Sequence, residues 1–192
     1  MDALRSHLLE FVELDNRSLE ALVALFKPVQ IPKGLEWAQT GQPAAKIGFV
    51  CSGVYRAFHL GADGQEFTKV FFRSPSIIGA YSSLITGRNN QVHIECLEEG
   101  EILEADYQQI LELYQDYPMI ERLNRVMAEN FFVRNEDREI ALVMMDARDR
   151  YQRFQQDYVG IENEIPQYQV ASYLGITPTQ LSRIRAEMAK GN

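Results

Sequence analysis

Residues 165–188 read IPQYQVASYLGITPTQLSRIRAEM, two short helical patterns joined at a glycine. Val170, Ala171 and Leu174 form the apolar edge of the first pattern, and Pro166 stands where a helix can begin. Gly175 stops that helix at the position that favours positive φ, and Ile176 plugs the corner. The second helix opens on TPTQ, with Thr177 as N-cap, Pro178 in the first turn and Gln180 three residues after the cap. That is a capping box. Leu181 and Ile184 turn inward beside Leu174, which leaves Thr179, Gln180 and Arg183 on one outward face. Arginine matches the O6/N7 edge of guanine and glutamine the N6/N7 edge of adenine, so this face of a helix-turn-helix carries base-reading chemistry. Tyr168, Thr177 and Arg185 are placed to meet phosphates. Helix–glycine–helix units with a merely solvated polar face also occur, so the rest of the chain has to decide.

The net charge of the 192 residues is -8, the wrong sign for a duplex coated in phosphates. It is unevenly spread. Residues 165–192 hold Arg183, Arg185 and Lys190 against Glu187 alone, leaving the body strongly acidic and the tip mildly basic. The field at the docking face matters more than the total, so weak non-specific affinity for DNA is expected. A hydrophobic content of 46% with 24% charged residues suits a packed globular protein. No apolar run approaches the roughly 20 residues that cross a bilayer, and acids interrupt the apolar residues of MDALRSHLLEFVELDNRSLE. The expectation is a cytoplasmic protein with no membrane partner.

Upstream of the tail, the pattern predicts three parts. Residues 2–28 read as helical, with Leu4, Leu8, Leu9, Phe11, Val12, Leu19, Leu22, Val23 and Leu25 at helical spacing. From about 29 to 105, KGLEWAQTGQ, KIGFVCSGVYRAFHL and QEFTKVFF are short β segments separated by glycine turns, including GADG at 61–64. A further pair, QVHIECL and EILEAD, brackets EEG. Evenly spaced strands of this kind predict an antiparallel sandwich or barrel. YQQILELYQDY predicts a short helix ending near Pro118, and the 27 residues MIERLNRVMAENFFVRNEDREIALVMM then run without Gly or Pro. Ile120, Leu123, Met127 and Phe131 make its apolar stripe, continued less regularly by Val133, Ile140 and Met144. A helix of about 40 Å is hard to bury in so small a domain, so the stripe is expected to be a homodimer seam. One long core helix of a monomer is the alternative.

The inventory of reactive residues is thin. Cys51 and Cys96 are too few for a disulfide framework or a four-thiolate iron–sulfur site. His7, His59 and His93 are isolated, which argues against a metal-dependent enzyme, and a single strand histidine makes a poor haem ligand. No catalytic pairing and no phosphate-binding glycine loop stands out. No enzyme activity, metal or cofactor is expected.

Nearly the whole chain resembles the Crp/Fnr family of bacterial transcription regulators. The resemblance rests on GFVCSGVYRAFHLGADGQEFTKVFF, IIGAYSSL, the long helix, DARDRYQRFQQDY and IPQYQVASYLGITPTQLSRIR, in the family's order. The last stretch is similar to the helix-turn-helix of the branch common in Bacteroidetes. The resemblance implies an α+β chain: an N-terminal antiparallel β-roll of cyclic-nucleotide-binding type (1–117), a long dimerisation helix (118–145) and a C-terminal helix-turn-helix or winged-helix domain (146–192). Little sequence follows the second helix, so a wing of strands there is expected to be absent or minimal, and any β element of that domain to precede Pro166.

Family members that bind cyclic AMP grip the ribose with a Gly-Glu pair and the phosphate with an Arg followed by a small hydroxyl residue. Counted without gaps from Gly79, this chain has Ala80 at the glutamate position, Asn90 at the arginine position and Gln91 at the hydroxyl position. The candidate effector pocket is therefore Gly79, Ala80, Tyr81, Ser82, Arg88, Asn90 and Gln91, with Arg88 a substitute phosphate partner only if the loop is shifted. Asn135 and Glu136 fall where adenine would meet the long helix. A buried anionic phosphate without its arginine is costly, so cyclic AMP is not expected to bind. Two functions stay open. One is a homodimeric regulator reading an inverted repeat in double-stranded DNA, with an unidentified small-molecule effector and RNA polymerase as further partners. The other is a ligand-binding or scaffold protein of the same fold without DNA binding.

Overall fold

The computed structural model describes residues 1–190. The chain forms two compact units, one of residues 1–56 with 72–132 and one of residues 57–71 with 133–192.

In the first unit, the predicted N-terminal helix is two helices, α1 (Asp2–Leu9) and α2 (Asn16–Val23). The break comes from Asp15, whose carboxylate accepts the Ser18 amide at 3.0 Å and so caps a fresh helix. The strands of the chain follow: β1 (Lys27–Ile31), β2 (Glu36–Ala38), β3 (Lys46–Val50), β4 (Val54–Leu60), β5 (Glu66–Phe72) and β6 (Ser76–Ile78), of which residues 57–71 count with the second unit. The short helix α3 (Tyr81–Thr86) precedes β7 (His93–Glu98) and β8 (Gly100–Asp106). They make two four-stranded sheets, ordered β1-β8-β3-β6 and β2-β7-β4-β5, an antiparallel roll as expected. One face of β3 and β8 (Ile47, Phe49, Leu103, Ala105) packs with Leu4, Leu8, Leu19 and Leu22 of the two N-terminal helices into one core.

Two glycines permit a close crossing of the β3–β4 and β7–β8 turns. A Cβ on Gly100 would lie 2.1 Å from the Ser52 carbonyl oxygen, and one on Gly53, at φ +85°, 2.6 Å from that of Glu98. No side chain fits at either position.

Asp106 caps α4 (Tyr107–Glu112) by accepting the amides of Gln108 and Gln109, and Pro118 opens α5 (Pro118–Met144). Here the sequence reading needs correction. Ile120 and Leu123 are 0% and 1% exposed and belong to the roll's own core, with Met127 packed partly against it. They cannot form a seam. The exposed apolar residues lie further on: Phe132 at 67%, Val133 at 54%, Ile140 at 55% and Val143 at 81%.

The second unit holds the latter part of α5, then α6 (Ala147–Asp157), a 3-10 turn (Ile161–Asn163), α7 (Gln167–Leu174) and α8 (Pro178–Lys190). Asp146 caps α6 through the Asp149 amide. Phe154, Ile161, Val170, Ala171, Leu174 and Leu181 are buried. Among the described residues after 146 there is no strand. The β element in this unit is the distal β4–β5 hairpin, residues 57–71.

Candidate nucleic-acid interface and effector groove

The helix-turn-helix is built as its sequence specifies. Gly175 ends α7 in the left-handed region, at φ 67° and ψ 34°, and the Ile176 amide reaches back to the Ala171 carbonyl at 3.1 Å. The capping box closes reciprocally: the Gln180 amide donates to Thr177 Oγ1 at 3.2 Å, and the Thr177 amide to Gln180 Oε1 at 2.9 Å. Leu181 and Ile184 are buried, and Thr177, Thr179, Gln180 and Arg183 are exposed on the other side.

Their chemical freedom differs. Arg183 keeps 71% of its side chain exposed and lies 3.8 Å from Glu187, a loose surface pair of little worth. Gln180 also accepts from the Thr177 hydroxyl, so its carbonyl oxygen serves the cap twice. Only its NH2 faces outward uncommitted, and the two-bond match to adenine needs both groups. Arg185 is half-buried, donates to Gln167 Oε1 and lies 4.0 Å from Glu162. Glu162 in turn accepts from the Tyr151 hydroxyl at 2.6 Å and from Gln155 at 2.9 Å. Burial, with Glu162 second, pushes the Tyr151 phenol up to about 12. Arg185 thus ties α8 to α7 and to the 3-10 turn, and a phosphate would have to compete for it. Tyr168 is exposed at 49%, and its hydroxyl accepts from Gln169 at 3.3 Å.

In the first unit, an open groove of about 400 Å³ is walled by Glu36, Trp37, Gln39, Lys46, Glu104, Ala80 and Asn90, among others. Of the candidate effector residues, Ala80 and Asn90 line it; Gly79, Tyr81, Ser82, Arg88 and Gln91 do not. Asn90 is 3% exposed and fully engaged with backbone. Its NH2 donates to the carbonyls of Gln39 (3.2 Å) and Val92, and its oxygen accepts the Val92 amide at 3.0 Å. It staples its loop to the turn at 39–42, where main-chain bonds join Gly41 to Asn90 and Asn90 to Gln42. Arg88 is exposed, and its carbonyl accepts the buried Ser83 hydroxyl at 2.6 Å. Tyr81 packs edge-on against Tyr107, ring centres 6.2 Å apart. The groove's charged groups are paired: Glu104 accepts from Trp37 Nε1 at 3.2 Å and from Lys46, and Glu36 lies 3.2 Å from His93 Nδ1. Two carboxylates against one lysine make an unwelcoming wall for an anion.

Burial raises the pKa of both thiols, Cys51 and Cys96, which keeps them protonated. Among the described residues, no cluster of three or more His, Cys, Asp or Glu is placed to hold a metal ion, and no helix is long and apolar enough to cross a membrane.

The sequence reading missed three residues that hold the helix-turn-helix. Ser172 on α7 accepts the Thr68 amide and donates to the Glu66 carbonyl of β5, while Arg138 and Arg150 donate to the Tyr173 and Leu174 carbonyls at the end of α7. Arginines near a helix C-terminus are a recognisable signal for carbonyl capping, but both lie far from α7 in sequence.

The family model for the cyclic nucleotide-binding domain matches residues 28–117. No curated protein matches the chain. Among solved structures, the chain is similar to the c-di-GMP-responsive global regulator CLP of Xanthomonas campestris. The TM-score is 0.74 at 19% identity, over 92% of this chain and 93% of that one. It is similar to FixK2 of Bradyrhizobium japonicum, with TM-score 0.74 at 17% identity, over 86% and 85%. It is also similar to the catabolite activator protein of Thermus thermophilus, with TM-score 0.59 at 20% identity, over 94% and 86%. Residues 28–117 thus match the cyclic nucleotide-binding domain, in a chain that shares the fold of these solved structures.

Proposed function

We propose that the protein is a homodimeric, cytoplasmic transcription regulator rather than an enzyme. Residues 1–117 are the sensor, 118–145 the connecting helix and 146–192 the DNA-reading domain. The observation that carries this reading is α8, a capped helix whose inner face is buried and whose outer face presents Thr179 and Arg183 unobstructed. Arg183 reads a base edge in the major groove, with Thr179 beside it, Gln180 contributing its NH2 alone, and Thr177 and Tyr168 near the phosphates. The second copy is supported by Phe132, Ile140 and Val143, exposed and spaced i, i+8 and i+11 on one face of α5.

The sensor groove is degenerate toward cyclic AMP. Ala80 has no group for a ribose, Asn90 is spent on its own loop, and Glu36 and Glu104 repel a phosphate. An effector of another class, and contact with RNA polymerase, remain compatible with this reading.

Selection of bound sequences from a random duplex pool with the purified protein tests the proposal. The expected result is an inverted repeat with half-sites about one helical turn apart, roughly 34 Å. Absence of any enriched motif would favour a scaffold or ligand-binding role instead.

A further inference from the structure

The groove of the first unit is hostile to a phosphate, and the same chemistry favours the opposite charge. Glu36 and Glu104 stand in its wall against Lys46. Each carboxylate is only partly spent on the fold. Glu104 accepts Trp37 Nε1 through Oε2 at 3.2 Å and Lys46 through Oε1, and Glu36 meets His93 Nδ1 through Oε2 at 3.2 Å. A carboxylate offers about four lone-pair sites, so Oε1 of Glu36 and the second lone pairs of Glu104 can take further donors. The two side chains are 31% and 16% exposed, which shields them from bulk water and strengthens their pull on a cation. Asn90, whose NH2 is taken by the carbonyls of Gln39 and Val92, adds no free donor.

Much of the remaining wall is apolar. Trp37 has its indole nitrogen fixed by Glu104, and its far edge rests against Gly48, where a Cβ would come to 3.4 Å from Cζ2. The indole is therefore held in place before any ligand arrives, and an aromatic ring attracts a cation as well as apolar carbon. Pro43, Ala44, Ala45 and Ala80 add methyl and ring carbons. A volume of about 400 Å³ falls in the range of small-molecule sites. An aromatic ring, small apolar side chains and shielded acceptors together match a ligand with an apolar body and a positively charged, N–H-bearing head.

We propose that this groove is a site for a small organic cation, whose ammonium or amidinium head donates to Glu36 and Glu104 while its apolar body packs against Trp37. The inference rests on reading residues 1–117 as a sensor and names the class of its effector. Trp37 is the one tryptophan of the chain, so its fluorescence reports the groove directly. Fluorescence and calorimetry are followed on the full-length protein during titration with three probes of similar size: phenethylamine, phenethyl alcohol and hydrocinnamate. No DNA is present, so failure here is distinct from failure to select a DNA motif. The amine should perturb Trp37 saturably and bind at least about tenfold more tightly than the alcohol, the ratio expected of one hydrogen bond to a charged group. Hydrocinnamate should bind more weakly than either. Glu36→Gln keeps the side chain's shape and removes its charge, and it should weaken the amine about tenfold while leaving the alcohol unchanged. Equal affinity for amine and alcohol would reduce the groove to an apolar cleft and overturn the proposal. So would a preference for hydrocinnamate, the absence of saturable binding by the amine, or an amine affinity that a folded Glu36→Gln variant does not lower. The ranking of the three probes on the wild-type chain decides the matter even if that variant fails to fold.

Discussion

The roll and the helix-turn-helix use polar side chains in opposite ways. In the roll, polar groups in the cassette region are turned inward and consumed: Asn90 on three backbone groups, Ser83 on the Arg88 carbonyl and the Ala44 amide, and Arg56, 1% exposed, on Glu95 at 2.8 Å. On α8, Thr179 and Arg183 face outward with little to hold them. The difference separates scaffold from binding surface, because a group already bonded to its own backbone must break that bond before it can hold a ligand. On the proposed reading, the cassette is therefore a poor site for an anionic nucleotide and α8 a good site for a base edge. Gln180 lies between, its oxygen committed and its NH2 not.

The long helix crosses the same divide, and breaking it in two places gives the largest expected effects. Phe132→Lys with Ile140→Lys places two charges on the exposed stripe and should convert dimers to folded monomers by sedimentation equilibrium. Leu123→Lys, at 1% exposure inside the roll's core, should instead unfold the protein. A folded monomer from Leu123→Lys, or persistent dimers from the double variant, would reverse the assignment of the two halves.

Within the roll, Glu95→Ala removes a charge-assisted hydrogen bond to the buried Arg56 and should cost about 1.5–3 kcal/mol in urea unfolding. A loss below about 0.5 kcal/mol would mean that Glu95 adds nothing to the hold on Arg56. A smaller effect is expected at α8. Thr177→Ala removes the cap from the Gln180 amide and should lower stability by about 1 kcal/mol. A cost near that of Glu95→Ala would show that α8 is consumed by its own fold as the cassette is.

What could be read from the chain follows the range of the interactions. The capping box, the Gly175 stop and the β-segments are local or periodic, and TPTQ, GADG and the alternation in VYRAFHL carry them openly. The Asp15 cap is equally local, but the apolar spacing runs on across it and masks it. The stripe through Ile120 and Leu123 shows that a face is apolar, not which partner covers it, and here the roll's own core does. The Asn90 staple, the Glu95 pairing and the Ser172 bridge join residues 39 to 106 positions apart, beyond any pattern in one sequence. The candidate effector positions suffered most. An ungapped count can show that an arginine is missing, but not that its replacement is tied into backbone.

The central claim is that α8 reads base edges through Arg183, and its most direct measurement is the random-pool selection carried out in parallel with wild type and Arg183→Ala. The expected result is that the variant still selects an inverted repeat but loses preference at one symmetric pair of positions. Specific affinity should fall by the roughly 1–3 kcal/mol of a bidentate base contact. An unchanged motif and affinity in Arg183→Ala would contradict the direct-readout role of this helix face.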